Sequence, residues 1–184
     1  MTSNNTLKDV YLNRVSAFLP NAPVGNDKME AVLGMAGDVP SRVRRMILRS
    51  NGILSRHYAI DPESRRTTHT NAELAAEAVN GLFAQGVPAK AIGSLACATS
   101  YPDQTMPGHG VMVHGLLDMP PCEVFSMAGV CAAGMAAMKH AYNAVRTGEH
   151  AHAVSVASEN ASAVMRGEVF QSETAHKKLE NVSP

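Results

Sequence analysis

"FSMAGVCAAGMAAM", residues 125–138, joins a strand-like apolar run to a series of small, helix-forming residues. Cys131 lies at this junction, because the apolar segment 122–128 precedes it and a long helical pattern, 131–148, begins with it. The free N–H groups and the macrodipole at a helix N-terminus lower the pKa of a thiol placed there. The stretch therefore predicts a strand–turn–helix elbow, in which Cys131 is either a nucleophile or a small core residue.

The rest of the chain repeats this alternation of strand and helix patterns. Short apolar or alternating segments bounded by turn-forming residues predict strands at 10–19, 91–99, 122–128 and 151–158. Amphipathic or Ala-rich patterns with capping and terminating residues predict helices at 71–86, 108–118 and 131–148. This order predicts an α/β fold, layered, with a mainly parallel sheet and helices.

Two segments depart from the strand–helix pattern. Residues 36–69 are basic and interrupted by Pro and Gly. They form either a solvated connection with a short helix at 41–49 or a rim that meets a phosphate-bearing ligand or an acidic partner. Residues 163–184 are polar and predict a lid or tail.

Composition excludes several classes of protein. The chain has 16 Lys and Arg against 16 Asp and Glu, so no basic excess favours nucleic acid. Its apolar runs are too short for a membrane-spanning helix, and no signal pattern opens the sequence, so we expect a cytoplasmic protein. Three cysteines without C-x-x-C spacing argue against a disulfide framework or zinc ribbon, and eight histidines show no ligand spacing. We therefore expect no metal.

Residues 125–162, "FSMAGVCAAGMAAMKHAYNAVRTGEHAHAVSVASENAS", resemble the nucleophile segment, helix and following strand of the β-ketoacyl-acyl-carrier-protein synthase III family, in the thiolase-like superfamily. The segment "RMILRSNGILSRHYAID" is similar to the Thr-Gly-Ile-x-x-Arg segment of that family, with matches at Gly52, Ile53 and Arg56. The resemblance extends from about Val10 to Ser162. It implies that residues 1–184 form the N-terminal portion of a thiolase-like fold, truncated before the end of its first repeat.

The resemblance also implies an activity. Cys131 would accept an acyl group from an acyl-coenzyme A or acyl-carrier-protein thioester, with its own backbone N–H in the oxyanion hole. Decarboxylative Claisen condensation with a malonyl thioester would follow, in fatty-acid or polyketide-type synthesis, with no cofactor. Acyl carrier protein and a second copy of the chain are the implied partners. The implied substrate-binding positions are Met46, Arg49, Arg56, Met106 and Gly134.

Departures from the family pattern leave alternatives open. Met46 stands where the family usually has Trp in its coenzyme A clamp, and Ser50 stands where it has Arg. Ser100 takes the place of the catalytic Glu of hydroxymethylglutaryl-coenzyme A synthases, which argues against that branch. The decarboxylation His and Asn would lie beyond residue 184, so we expect the chain alone to be inactive in condensation. The alternatives are a thiolase-fold acyltransferase without decarboxylation and a non-catalytic half-fold partner of a ketosynthase.

Overall fold

The computed structural model describes residues 7–37, 40–41 and 43–170. The chain divides into two compact units. The first unit comprises Met1–Phe18 and Thr70–Glu159, and the second comprises Leu19–His69 and Asn160–Pro184. No helix within the described ranges is long and apolar enough to cross a bilayer.

The first unit is built on a parallel sheet of three strands. The central strand, β3 (Ser94–Ala98), pairs with β4 (Glu123–Met127) on one side and with β5 (Ala153–Ala157) on the other. All residues of β3 are buried, as expected for a strand that helices cover on both faces. The last three predicted strands are thus confirmed, each shortened at its ends.

Three helices surround this sheet: α3 (Asn71–Ala84), α4 (His109–Gly115) and α5 (Ala133–Arg146). The start of α3 is set by a capping box, in which the Thr70 hydroxyl accepts from the Glu73 N–H and the Glu73 carboxylate accepts from the Thr70 N–H. All three helices confirm predicted segments.

Side chains of β3 alternate between two apolar clusters. Leu95 and Cys97 pack with residues of α3 and α4, whereas Ala96 and Ala98 pack with Ala133 and other small residues of α5. Successive residues of a strand point to opposite faces, so α5 covers one face of the sheet and α3 and α4 cover the other. This arrangement confirms the layered α/β fold.

The predicted strand at 10–19 is wrong. The structure gives these residues no strand pairing, and Tyr11 and Leu12 are 75% and 73% exposed. The segment is held instead near its ends, where Lys8 N–H donates to Arg146 O at 2.8 Å and the Gln85 amide donates to Val15 O at 3.2 Å. An alternating pattern favours an extended backbone, but a strand forms only where a neighbour completes the ladder.

The second unit has a small core of its own around Val32, Tyr58 and Ile60. The predicted short helix of the basic segment is present, shifted to Arg44–Asn51. Residues 171–184, most of the predicted lid or tail, lie outside the described residues. The elements of this unit are β1 (Val24–Gly25), α1 (Met29–Leu33), α2 (Arg44–Asn51), β2 (Ser55–Arg56, antiparallel to β1) and α6 (Ala161–Val164).

Candidate active site

Cys131 lies in a single 3-10 turn, Val130–Ala132, that joins the carboxyl end of β4 to the first residue of α5. Cys131 is exposed to solvent and forms no disulfide. The strand–turn–helix elbow predicted from the sequence is therefore present. It places the thiol at the carboxyl edge of a parallel sheet, where open α/β folds bind their ligands.

The residue before Cys131 has an unusual backbone conformation. Val130 has a φ of 50°, and its side chain is 71% exposed. A left-handed conformation is unfavourable for a β-branched residue, because Cβ approaches the following carbonyl. Strained residues of this kind concentrate at functional sites, since the surrounding structure must hold them. The strained residue thus directly precedes Cys131 in the turn.

Small residues follow Cys131 along α5. Ala133 is buried, and Gly134 is half-buried against β5. A Cβ at Gly134 would lie 3.1 Å from the Ala157 Cβ, which is tighter than ordinary contact. Gly134 thus lets α5 approach the sheet closely. Its role in substrate binding stays a prediction.

The three cysteines differ in exposure, and burial raises the pKa of two of them. Cys97 is fully buried, and burial, reinforced by the neighbouring Cys122, raises the pKa of its thiol to about 12. Cys122 is half-buried, and burial, followed by the charge of Glu123, raises its pKa as well. Only the thiolate is nucleophilic. Of the three, Cys131 alone is exposed to a reagent in solution.

Alkylation of the folded chain by iodoacetamide at pH 8 is therefore expected to modify Cys131 first and Cys122 more slowly. Cys97 should react roughly 100-fold more slowly than Cys131, because it is both buried and protonated at this pH. Peptide mass mapping over time measures the three rates. In urea all three thiols should react alike, which controls for peptide detection. Equal rates for Cys97 and Cys131 in the folded chain would contradict the prediction.

A buried polar network lies beneath the carboxyl edge of the sheet. The Asn71 side chain donates to Thr99 Oγ1 at 2.7 Å and to Tyr101 O at 2.9 Å. Ser158 Oγ donates to Asn71 O at 3.3 Å and lies 3.2 Å from His109 Nε2. This network was not predicted, although polar residues directly after strands β3 and β5 were a signal for it.

Two carboxylates accept backbone hydrogen bonds near the same network. Asp103 accepts from Asn71 N–H at 2.7 Å and from Ala72 N–H at 2.8 Å, so it binds the first N–H groups of α3. Glu159 accepts from the Ser100 N–H. Burial lowers the pKa of His109, and the charges of Asp103 and Glu159 oppose this shift. His109 Nδ1 is buried and has no partner within the described residues.

We expect the free energy of unfolding to decrease as the pH is lowered, because the fold favours neutral His109. Its folded pKa lies below the ordinary value of 6.5, so the unfolded chain binds more protons below that pH. The stabilisation that comes from neutral His109 is fully present above pH 6.5 and is lost as the pH falls. The free energy of unfolding should change by at most about 1.4 kcal/mol per pH unit for this one group. Urea unfolding of wild type and His109→Gln between pH 5 and 8 measures it. Equal pH slopes for the two proteins would contradict the prediction.

One histidine contacts a carboxylate that lies far from it in sequence. His150 has a carboxylate neighbour that is distant in sequence, because its Nε2 lies 3.0 Å from Glu123 Oε2. Potential ligand atoms of Glu123, Glu149 and His150 lie within 4.8 Å of one another. Pairing of the sheet brings Glu123 to this position, and sequence spacing gives no sign of it. The contact is a hydrogen bond between the imidazole and the carboxylate, and the absence of a metal stays a prediction. His140 packs on the Phe125 ring, with 3.8 Å between ring centroids.

The remaining predicted substrate-binding residues are distributed over both units. Met106 belongs to the first unit, lies in the loop between β3 and α4, and is 83% exposed. Met46 and Arg49 lie on α2 of the second unit and are exposed. Arg56 of β2 donates to Asn26 Oδ1 at 2.6 Å. Roles for these four side chains in substrate binding stay predictions.

Comparisons with known proteins agree with the resemblance seen in the sequence. No family model matches the chain. β-Ketoacyl-[acyl-carrier-protein] synthase III from Sphingopyxis alaskensis is 35% identical over 120 residues, which are 65% of this chain and 36% of the relative. The synthase III of Rhodospirillum centenum is 28% identical over 159 residues, covering 86% of this chain and 45% of the relative. The chain thus spans less than half the length of these curated relatives.

Solved structures of condensing enzymes share the fold. AbyA1, a tetronic acid condensing enzyme, matches with a TM-score of 0.68 and 24% identity, covering 82% of this chain and 45% of its own. The synthase III of Thermus thermophilus matches with a TM-score of 0.64 and 20% identity, covering 82% and 43%. A variant of OleA from Xanthomonas campestris matches with a TM-score of 0.67 and 19% identity, covering 90% and 49%. The comparisons confirm both the thiolase-like α/β fold and the predicted resemblance to β-ketoacyl-acyl-carrier-protein synthase III.

Proposed function

We propose that this chain carries the acyl-accepting cysteine of a condensing enzyme similar to β-ketoacyl-acyl-carrier-protein synthase III. One observation carries the proposal: Cys131 is exposed at the elbow between β4 and the N-terminus of α5. The N–H groups of the first turn of a helix have no partner within the helix and can donate to a negatively charged atom beside them. The two other cysteines have raised pKa values and lie at least partly buried.

The proposed reaction begins with acyl transfer to sulfur. The Cys131 thiolate attacks the carbonyl carbon of an acyl-coenzyme A or acyl-carrier-protein thioester. The tetrahedral intermediate then expels the pantetheine thiolate, which takes up a proton. The Cys131 backbone N–H is the proposed oxyanion donor. In the described part of the chain this N–H has no hydrogen-bond partner, whereas the Ala132 N–H already donates to Gly129 O at 3.0 Å.

The acyl-enzyme would next react with a carbanion formed by decarboxylation of a malonyl thioester, in fatty-acid or polyketide-type synthesis. This step needs donors that stabilise the developing enolate. Acylation is the step that the described residues support, through the exposed thiol of Cys131. Within the described ranges, His140 is the histidine of α5, and its ring packs on the Phe125 ring.

Exposed side chains are proposed to receive the rest of the substrate. Met106 is unbranched and adaptable, which suits the acyl-chain contact that the resemblance assigns to this position. Arg49 and Arg56 would contact the phosphates of coenzyme A or of the carrier-protein prosthetic group. Met46 stands in place of the family's usual Trp, which favours a carrier-protein donor over free coenzyme A. We propose a homodimer as the working assembly.

Acylation can be tested on the full chain by intact-mass spectrometry. The chain is incubated with acetyl-coenzyme A, longer acyl-coenzyme A thioesters and acyl carrier protein charged with the same groups. We expect a single acyl adduct that hydroxylamine removes and that maps to the peptide containing Cys131. No adduct from any of these thioesters, on a chain shown to be folded by circular dichroism, would overturn the proposal.

A further inference from the structure

The dipeptide Asn-Gly occurs twice in the sequence, at residues 51–52 and at residues 80–81. This dipeptide favours deamidation, because asparagine is thermolabile and glycine has no Cβ to obstruct attack by its backbone nitrogen on the preceding side chain. The dipeptide sequence alone does not distinguish the two pairs. The structure does, because the first pair ends α2 and the second lies inside α3.

Asn51 and Gly52 lie at an open helix end. Asn51 is the last residue of α2, and both residues are exposed. Gly52 has a left-handed conformation with a φ of 68°, and its N–H has no hydrogen-bond partner among the described residues. Nothing lies within 4 Å of a Cβ at Gly52, so the backbone has room to turn toward the Asn51 side chain. Helix ends also open more readily than helix interiors.

A hydrogen bond holds the Asn51 side chain over this backbone. Asn51 Oδ1 accepts from the Ile53 N–H at 2.9 Å, so Gly52 lies inside the loop that this bond closes. Ile53 is itself held, because its carbonyl accepts from Asn26 Nδ2 at 2.8 Å. Attack of the Gly52 nitrogen on Asn51 Cγ would put negative charge on Oδ1. The Ile53 N–H already donates to that oxygen, and a donor placed where charge develops lowers the barrier to reaction.

Asn80 and Gly81 are held in a helix interior. Both are half-buried within α3, which continues to Ala84. The Gly81 N–H therefore donates to the carbonyl one turn earlier and is not free to attack. A Cβ at Gly81 would collide with Ser16 Oγ, so the neighbouring chain covers this backbone closely. Deamidation at Asn80 requires α3 to open first.

We infer that Asn51 is a modification site, at which the folded chain deamidates itself faster than at Asn80. The Gly52 nitrogen loses its proton to hydroxide and attacks Asn51 Cγ. The tetrahedral intermediate expels ammonia, which takes a proton from water, and a succinimide remains. Water then opens either C–N bond of the ring, which gives aspartate or isoaspartate. The product places a carboxylate at the negative end of the α2 dipole, in a helix whose other charged residues are all arginine. The inference does not depend on the role of Cys131.

Ageing of the full chain at mildly alkaline pH tests the inference. Peptide mass mapping over time follows each asparagine by the mass gained when its amide becomes a carboxylic acid. In the folded chain we expect Asn51 to convert at least roughly 10-fold faster than Asn80, because Asn80 reacts only when α3 opens. In urea the two rates should agree within about 2-fold. Equal rates in the folded chain, or an equally large difference in urea, would overturn the inference.

Two variants assign the acidic species that ion-exchange chromatography separates from the aged chain. Asn51→Gln should prevent its formation, because the larger ring that glutamine must close forms far more slowly. Asn80→Gln is the matched control, and it should leave the rate unchanged. Aged wild type should also contain isoaspartate at residue 51, which an isoaspartyl methyltransferase labels and which direct hydrolysis of the side chain does not produce. An acidic species that persists in Asn51→Gln, or a product that contains aspartate alone, would overturn the inference.

Discussion

Cys131→Ala is expected to abolish acyl transfer from thioesters to this chain, with at least a roughly 1,000-fold lower rate of adduct formation. Covalent transfer needs a nucleophile with a free electron pair, and the methyl group of alanine has none. Cys97 cannot substitute, because it is buried and its pKa is about 12. Intact mass and hydroxylamine release, followed over time with the best thioester, measure the loss.

Cys122→Ala is the matched control for this experiment. It makes the same chemical change at a half-buried thiol with a raised pKa. We expect it to leave the rate of adduct formation within about 2-fold of wild type, because its sulfur is not the acceptor. A hydroxylamine-sensitive adduct that persists in Cys131→Ala and disappears in Cys122→Ala would reassign the nucleophile. Circular dichroism of both variants verifies that the fold is retained.

Local signals in the sequence predicted most of the first unit. The start of α3 is set by a capping box of Thr70 and Glu73, two residues three positions apart, so the local sequence was enough to predict where this helix begins. The elbow at Cys131 was predictable for the same reason, because an apolar run, a short turn and an Ala-rich run follow one another in the sequence. In both cases the residues that form the feature lie within a few positions of each other.

Features that depend on distant partners were not predictable. Residues 10–19 have the pattern of a strand but form none, because a ladder requires a neighbouring backbone. The pairing of Glu123 with His150 and the hydrogen bond between Asn71 and Thr99 each join residues far apart in sequence. The packing of helices and strands brings these groups together, and the spacing of residues within one segment does not predict such contacts.

Gly110→Ala is expected to destabilise the fold by about 3 kcal/mol, because it overpacks the contact between α4 and β4. A Cβ at Gly110 would lie 2.6 Å from Phe125 O and 3.0 Å from both Ser126 Oγ and Val124 Cγ1. The carbonyl is part of the backbone of β4 and cannot move without disturbing its pairing with β3. The Gly110 N–H also donates to Ser126 Oγ at 2.8 Å, which holds the helix at this distance.

Gly115→Ala provides the control within the same helix. Nothing lies within 4 Å of a Cβ at Gly115, so this variant should be as stable as wild type or more stable by about 0.5 kcal/mol, through helix propensity. Urea unfolding of the three proteins measures the difference, and equal shifts for both variants would contradict the packing argument. β4 leads directly into the Val130–Ala132 turn. A displaced β4 should therefore also slow acylation of Cys131 in Gly110→Ala and leave it unchanged in Gly115→Ala.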